Sequence, residues 1–144
     1  GLTRVSEIAV LNANYIKAEL EGILDIDHSE GCLHEFVATG KQWKEKYGVR
    51  TLDVAKRLLD YGVHAPTIYF PLIVDEALMI EPTETESLDS LKKFISTIKS
   101  IAQEAEDNPE LLRNAPITTP VSRLDETKAA RQTDLSWMGP CNCE

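Results

Sequence analysis

The sequence has few of the features that mark membrane, secreted or nucleic-acid-binding proteins. No apolar run approaches the roughly 20 residues that a membrane-spanning helix needs, and the first residues show no signal-peptide pattern. Basic residues are scarce, since 15 Lys and Arg stand against 24 Asp and Glu, for a net charge of -9. We therefore expect a cytoplasmic protein that binds neither nucleic acid nor a membrane, because phosphate binding depends on clustered Lys and Arg.

Cysteine is also scarce, with three in 144 residues. Cys32 alternates with His34 and Phe36 in a strand-like stretch, where a small buried hydrophobic residue is the expected role. Cys141 and Cys143 form a lone Cys-x-Cys without the second pair or nearby His that a zinc site needs. We expect a solvated tail there rather than a redox or metal site.

Common motifs of catalysis and phosphate binding are missing as well. The chain contains no Walker A loop, no G-x-G-x-x-G, no H-E-x-x-H and no G-x-S-x-G. His28, His34 and His64 are far apart in sequence, and we expect no carboxylate at metal-ligand spacing from any of them. His28 and His34 are expected to be ordinary loop and strand residues. His64 is the best candidate for function, because it lies in a loop.

What the sequence does have is the pattern of one globular domain, with 42% hydrophobic and 27% charged residues. Apolar residues recur at helical spacing in three stretches. Thr51 followed by Asp53 is typical of a helix start, and Ser87 or Thr85 would cap the longest helix. The predicted helices span residues 4–20, 51–61 and 87–105.

Short stretches rich in β-forming residues predict three strands. The second and third are separated by residues 74–76, a spacing typical of an antiparallel hairpin. Pro71 should lie at a strand edge or bulge, because it cannot donate to a sheet ladder. Residues 25–31 are interpreted as a polar connector and residues 41–48 as a charged loop or helical turn. The predicted strands span residues 32–38, 67–73 and 77–81.

These elements predict the α/β (α+β) class, with a three-stranded, mainly antiparallel sheet covered on one face by helices. Helices 51–61 and 87–105 should share that face. The predicted domain organisation is a first helix over residues 1–22, a small domain over residues 23–115 and an extended arm over residues 116–144. A short helix at residues 126–131 is expected within the arm.

Two loops of the predicted hairpin are candidates for a cleft. Residues 64–67 enter one strand and residues 81–85 leave the other, so antiparallel pairing brings them to the same sheet edge. Ligand sites are common where polar loops gather beneath a second domain. Of the carboxylates of Glu81, Glu84 and Glu86, at least two can be explained by capping of the following helix instead of by a cleft. The predicted cleft-lining residues are His64, Thr67, Glu81, Thr83 and Glu84.

Several segments, in order along the chain, resemble one protein family. They are LNANYI at 11–16, HEF at 34–36, DVAKRLLDYG at 53–62, HAPT at 64–67, FP at 70–71 and LMIEPTE at 78–84. Together they resemble the P-protein of the glycine cleavage system, the glycine decarboxylase of glycine catabolism. TPVSRLDET at 119–127 resembles the end of the second subunit in the bacterial two-subunit form.

The resemblance implies a PLP-dependent enzyme of the aspartate-aminotransferase fold type, of which this chain is the small C-terminal domain. It implies release of CO2 from glycine and transfer of the aminomethyl group to the lipoamide arm of H-protein, with the first P-protein subunit as partner. The family's Schiff-base lysine lies in the large domain, and no lysine here has a matching context. The resemblance therefore implies no catalytic residue in this chain, an inactive fragment on its own, and a first helix that bridges to the large domain.

Two other interpretations remain open from the sequence alone. One is a free-standing regulatory or interaction domain, and the other is a different PLP enzyme of the same fold type, such as a selenocysteine lyase or hydroxymethyltransferase relative. Residues 77–87 contain no basic side chain. The absence of a clamp on a substrate carboxylate is compatible with decarboxylation, which must lose that carboxylate.

Overall fold

A computed structural model describes residues 1–26, 31–133 and 135. His28, Cys141, Cys143 and the last residues of the predicted arm lie outside these ranges. The described residues form six helices and four strands. The helices are α1 (Leu2–Leu20), α2 (Lys41–Tyr47), α3 (Thr51–Asp60), α4 (Leu88–Asp107), α5 (Pro109–Arg113) and α6 (Glu126–Arg131). The strands are β1 (Asp25–Ile26), β2 (Phe36–Thr39), β3 (Thr67–Ile68) and β4 (Ala77–Ile80).

The strands form one antiparallel sheet in the order β1-β2-β4-β3. Phe36 pairs with Ile80 and Ala38 with Leu78, and all four side chains are buried. Residues of a strand alternate between the two faces of a sheet. The opposite face therefore carries Val37 and its partner Met79, which are only partly buried.

The α/β class and the antiparallel sheet are confirmed, but the sheet has four strands rather than three. Strand β1 lies within the segment interpreted as a connector, and with two residues it gives no alternating pattern to read. The strand predicted at residues 67–73 is wrong beyond Ile68, because Tyr69 has a φ of 58° and turns the chain out of the extended conformation. Pro71 consequently lies outside the ladder.

Helices α3 and α4 pack into the same core as the inward face of the sheet, as predicted. Val54 and Leu58 of α3 and Ile98 and Ile101 of α4 have no exposed surface and belong to one hydrophobic cluster with Leu78. The predicted start of α4 is confirmed, since Ser87 Oγ accepts a hydrogen bond from the Ser90 N–H at 3.1 Å. Each buried aliphatic side chain of this size contributes about 1.5–3 kcal/mol.

Thr51 does not cap α3 as predicted. The Arg50 N–H donates to Asp53 Oδ2 at 2.8 Å, so that Asp53 closes the start of the helix. The buried Thr51 hydroxyl instead donates to the backbone oxygen of Glu76 at 2.7 Å. Thr51 therefore joins α3 to the turn that precedes β4.

That turn is held by a buried carboxylate. Glu76 Oε2 accepts from the Thr51 N–H at 2.8 Å, and Glu76 Oε1 lies 2.8 Å from Lys44 Nζ. The Glu76 backbone oxygen also accepts from the Gly40 N–H at 3.0 Å. A Cβ at position 40 would lie 3.1 Å from Thr51 Oγ1, so glycine leaves the space that the Thr51 hydroxyl occupies. The turn and the starts of α2 and α3 therefore form one bonded unit.

The segment that follows α5 is partly anchored to α3. Asp60 Oδ1 accepts from the backbone N–H groups of Ile117 and Thr118, both at 2.7 Å. Arg123 Nη2 donates to the buried Asp53 at 2.6 Å, and Arg123 Nε donates to the Ala115 oxygen at 2.7 Å. The predicted short helix is confirmed as α6, which buries none of its residues. Residues 117–123 are therefore bonded to Asp53 and Asp60 of α3.

Helix α1 is packed at one end only. Its buried residues are Asn12, Ala13, Ile16 and Leu20, whereas every residue from the start of the chain to residue 7 is exposed. The first half of α1 thus extends beyond the core, with Leu2 87% exposed. No helix in the described ranges is both long and apolar enough to cross a membrane.

Candidate functional site

The two loops of the predicted cleft line one pocket of about 390 Å³. Strands β3 and β4 are paired through Thr67–Met79 and Ile68–Leu78, which places the entry to β3 beside the exit of β4. Loop residues 62–66 form one wall and residues 80–83 form another. The rest of the lining comes from α1, from α4 and from the residue two positions before α4, and consists of Ile16, Glu86, Ser90, Leu91, Lys93 and Phe94.

The pocket has an apolar floor and a polar rim. Ile16, Ile80 and Leu91 are buried members of the core that reach the pocket. His64, Glu81 and other polar residues of the rim are exposed. Such a combination suits a ligand or a partner group that is apolar along one side and polar at one end.

A hydrogen bond from α1 fixes the loop that carries Thr83. Asn12 is only 7% exposed, and its Nδ2 donates to the Thr83 backbone oxygen at 2.9 Å. The Thr83 and Thr85 hydroxyls lie 2.8 Å apart, so that one of them donates a hydrogen bond to the other. The loop after β4 is therefore bonded to α1 through Asn12, and a hydrogen bond between its own two threonine hydroxyls stabilises it further.

Sequence reasoning located most of the pocket rim but missed its support. Of the five residues predicted to line a cleft, His64, Glu81 and Thr83 line the pocket, whereas Thr67 and Glu84 do not. Asn12 was missed because its bond to Thr83 joins residues 71 positions apart. No local pattern in the sequence reports such a contact.

Another group beside the rim was also missed. His34 Nε2 lies 3.9 Å from Glu81 Oε1 and 4.0 Å from Glu35 Oε2. The expectation that no carboxylate lies at ligand spacing from a histidine is therefore wrong for His34. The group depends on the pairing of β2 with β4, since the Phe36–Ile80 pair brings the residues just before β2 beside those just after β4.

The described residues do not supply a binding set for PLP. Among the pocket residues Lys93 is the single lysine, and its Nζ donates to the Gly62 oxygen at 3.3 Å. Glu81 and Glu86 would repel a phosphate group at the rim. This pocket could shape one side of a cofactor site, but it lacks the groups that would hold the cofactor.

Residues 5–116 match the family described as glycine dehydrogenase, C-terminal domain. Since this match covers most of the chain, the chain belongs to the glycine dehydrogenase C-terminal domain family. The resemblance to the P-protein family found in the sequence is thereby confirmed.

Similar proteins are named after glycine dehydrogenase as well. A probable glycine dehydrogenase (decarboxylating) subunit 2 from Kosmotoga olearia is 54% identical over 96% of this chain and 29% of its own length. Proteins of that name from Thermotoga petrophila and Caldanaerobacter subterraneus are 54% and 60% identical over 96% and 95% of this chain. The chain spans 29% and 28% of the length of these two relatives.

Proposed function

We propose that this chain is the C-terminal part of subunit 2 of a PLP-dependent glycine dehydrogenase (decarboxylating). The intact enzyme would release CO2 from glycine and pass the aminomethyl group to the lipoamide arm of H-protein in the cytoplasm. The first P-protein subunit would be its partner. The family match and the names of the relatives support this proposal over a free-standing interaction domain or another PLP enzyme.

The observation that carries the role of this chain is the shared pocket of the two hairpin loops. In the proposed enzyme this pocket faces the active-site cleft, and the large domain supplies the Schiff-base lysine and most contacts to PLP. PLP supplies the electron sink for decarboxylation. This chain contributes apolar surface that excludes water and polar groups that orient the substrate or the lipoyl arm.

Specific tasks can be proposed for the rim residues. His64 is exposed at the rim, where a neutral imidazole can accept a proton or a hydrogen bond. The Thr83 hydroxyl can donate to an oxygen of the ligand while Thr85 donates to Thr83. Thr67 and Glu84, which do not line the pocket, would position neighbouring backbone at most.

The test uses the complete two-subunit enzyme and its glycine–bicarbonate exchange rate. His64→Ala and Thr83→Ala should each lower the rate about 10-fold or more, since a positioned proton-transfer group contributes at least that much. Ser100→Ala, an exposed change on α4 outside the pocket lining, is the control and should leave the rate unchanged. Wild-type rates in both pocket variants would contradict the proposed role of the pocket.

A second experiment tests whether this chain is inactive alone. The 144-residue chain mixed with PLP should retain no Schiff-base absorbance after dialysis and should catalyse no exchange of glycine with bicarbonate. A stable absorbance band or measurable exchange would show that a lysine of this chain forms the aldimine, against the proposal.

A further inference from the structure

Two glutamates face each other just beyond the end of the β2–β4 ladder. The ladder ends where Phe36 pairs with Ile80, and beyond it a carboxylate oxygen of Glu35 lies within 4.8 Å of one of Glu81. Like charges directly opposite on antiparallel strands are destabilising. A cation between the two carboxylates would relieve this repulsion.

The imidazole of His34 lies beside both carboxylates. One ligand atom from each of His34, Glu35 and Glu81 lies within 4.8 Å of the other two. The separations of 3.9 and 4.0 Å from His34 Nε2 are too long for hydrogen bonds. The imidazole is therefore close to both carboxylates without being hydrogen-bonded to either.

We propose that His34, Glu35 and Glu81 form a site for one divalent transition-metal ion, of which Zn²⁺ is the representative. Zinc binds imidazole nitrogen and carboxylate oxygen at about 2.0–2.2 Å, so tetrahedral ligand atoms lie about 3.4 Å apart. The two separations from His34 Nε2 exceed this value by about half an ångström, and the two carboxylates lie within 4.8 Å of each other. Small side-chain rotations close that gap, since the side chains of His34, Glu35 and Glu81 are 54, 41 and 52% exposed.

The donor set also selects the class of metal. An imidazole favours zinc and related transition metals, whereas Mg²⁺ and Ca²⁺ favour sites made only of oxygen ligands. Three protein ligands leave the fourth position of zinc open to water or to an incoming group. Because Glu81 also lines the pocket, the bound ion would lie at the pocket rim. This site does not depend on the proposed function.

Isothermal titration of the full chain with Zn²⁺ tests the proposal, in a Cys141→Ser, Cys143→Ser background that removes the two thiols near the end of the chain. One equivalent of zinc should bind. His34→Asn and Glu81→Gln should each weaken binding by at least about 10-fold, since even outer-shell changes cost that much. Glu84→Gln and His64→Asn are matched controls outside the cluster, and both should bind as the parent does.

Thermal unfolding provides a second measurement on the same variants. Zinc should raise the melting temperature of the parent and of both control variants, because an ion that binds the native state stabilises it. It should raise that of His34→Asn and Glu81→Gln much less. Absence of zinc binding in the parent, or equal binding in the cluster and control variants, would overturn the proposal.

Discussion

Strand β4 has a glutamate just beyond each end, and the two residues have opposite environments. The Glu76 side chain is 4% exposed and is bonded to Thr51 and Lys44, with its backbone oxygen also occupied. The Glu81 side chain is 52% exposed, and its contact is the loose approach to His34. One end of the sheet is a closed, bonded junction, and the other is an open rim beside a pocket.

The comparison shows how to separate structural carboxylates from candidate functional ones. At the closed end both carboxylate oxygens and the backbone oxygen of Glu76 have partners within the chain, which is how a buried charge is tolerated. At the open end the carboxylates of Glu35 and Glu81 repel each other and remain available to a ligand. The chemistry of the side chain is the same at both ends, so the surroundings decide its role.

Glu76→Ala gives the largest expected effect and tests the closed end. The change leaves the buried Thr51 N–H without its acceptor, which costs about 2–3 kcal/mol of unfolding free energy. Urea denaturation of the parent and the variant measures this loss. Glu76→Gln keeps an oxygen at this position and should lose less. Equal stability of Glu76→Ala and the parent would show that the junction contributes little.

The bonded carboxylates of the fold also predict how stability depends on pH. Burial raises the pKa of Glu76, but bonds from Lys44 and Thr51 outweigh it and hold the pKa below its ordinary value of 4.5. Burial likewise raises the pKa of Glu104, while bonds from Arg57 and Tyr61 bring it below 4.5.

A lowered pKa in the folded state stabilises the fold at pH values above the ordinary pKa. That stabilisation is lost as the pH falls below 4.5 and through the folded-state pKa. Denaturation at a series of pH values should therefore show stability falling in this range. Glu104→Gln should show a shallower fall than the parent, and an identical slope would contradict the assignment.

Asp60→Ala extends the comparison to the C-terminal segment, which is bonded in its first part and exposed in α6. Loss of the Asp60 carboxylate removes the acceptor for the Ile117 and Thr118 amides. Hydrogen bonds to a charged group contribute about 1.5–3 kcal/mol, so exchange of these two amides should accelerate about 10-fold or more. Native-state hydrogen exchange measures this change.

The control for that experiment is Asp125→Ala, which removes a cap of the exposed helix α6. It should leave the Ile117 and Thr118 amides unchanged. Equal exchange in Asp60→Ala and the parent would show that these two hydrogen bonds do not hold residues 117 and 118 in place.

Glu81→Gln gives the smallest expected effect and tests the open end. An exposed side chain without a hydrogen bond should change the unfolding free energy by no more than about 0.5 kcal/mol. Removal of a like-charge contact with Glu35 gives the change a stabilising direction. A loss comparable to that of Glu76→Ala would show that the two ends of β4 do not differ as described.

The parts of the fold that the sequence predicted are those with local causes. Helix α4 follows from its Ser87 cap and its apolar stripe, and α6 lies at the predicted residues. The errors arose where distant contacts decide the outcome. Strand β1 exists because Ile26 pairs with Ala38, and β3 ends after Ile68 because Tyr69 turns the chain.

The candidate site divides in the same way. His64, Glu81 and Thr83 were predicted because hairpin connectivity places two loop ends together. The contributions of Asn12 and His34 depend on how α1 packs and on the β2–β4 register. Such contacts join segments far apart in sequence, and no local pattern encodes them.

The hydrogen bond between Asn12 and Thr83 couples the position of α1 to the shape of the pocket. The second half of α1, which contains Asn12, packs in the core and is bonded to the loop after β4. The residues at its start, from Leu2 to Glu7, are exposed and lie outside the core. If another surface tilted the exposed end of α1, the hydrogen bond from the Asn12 side chain would shift the loop that carries Thr83. The width of the pocket mouth would then change. The orientation of α1 thus bears directly on the shape of a pocket that α1 also lines through Ile16.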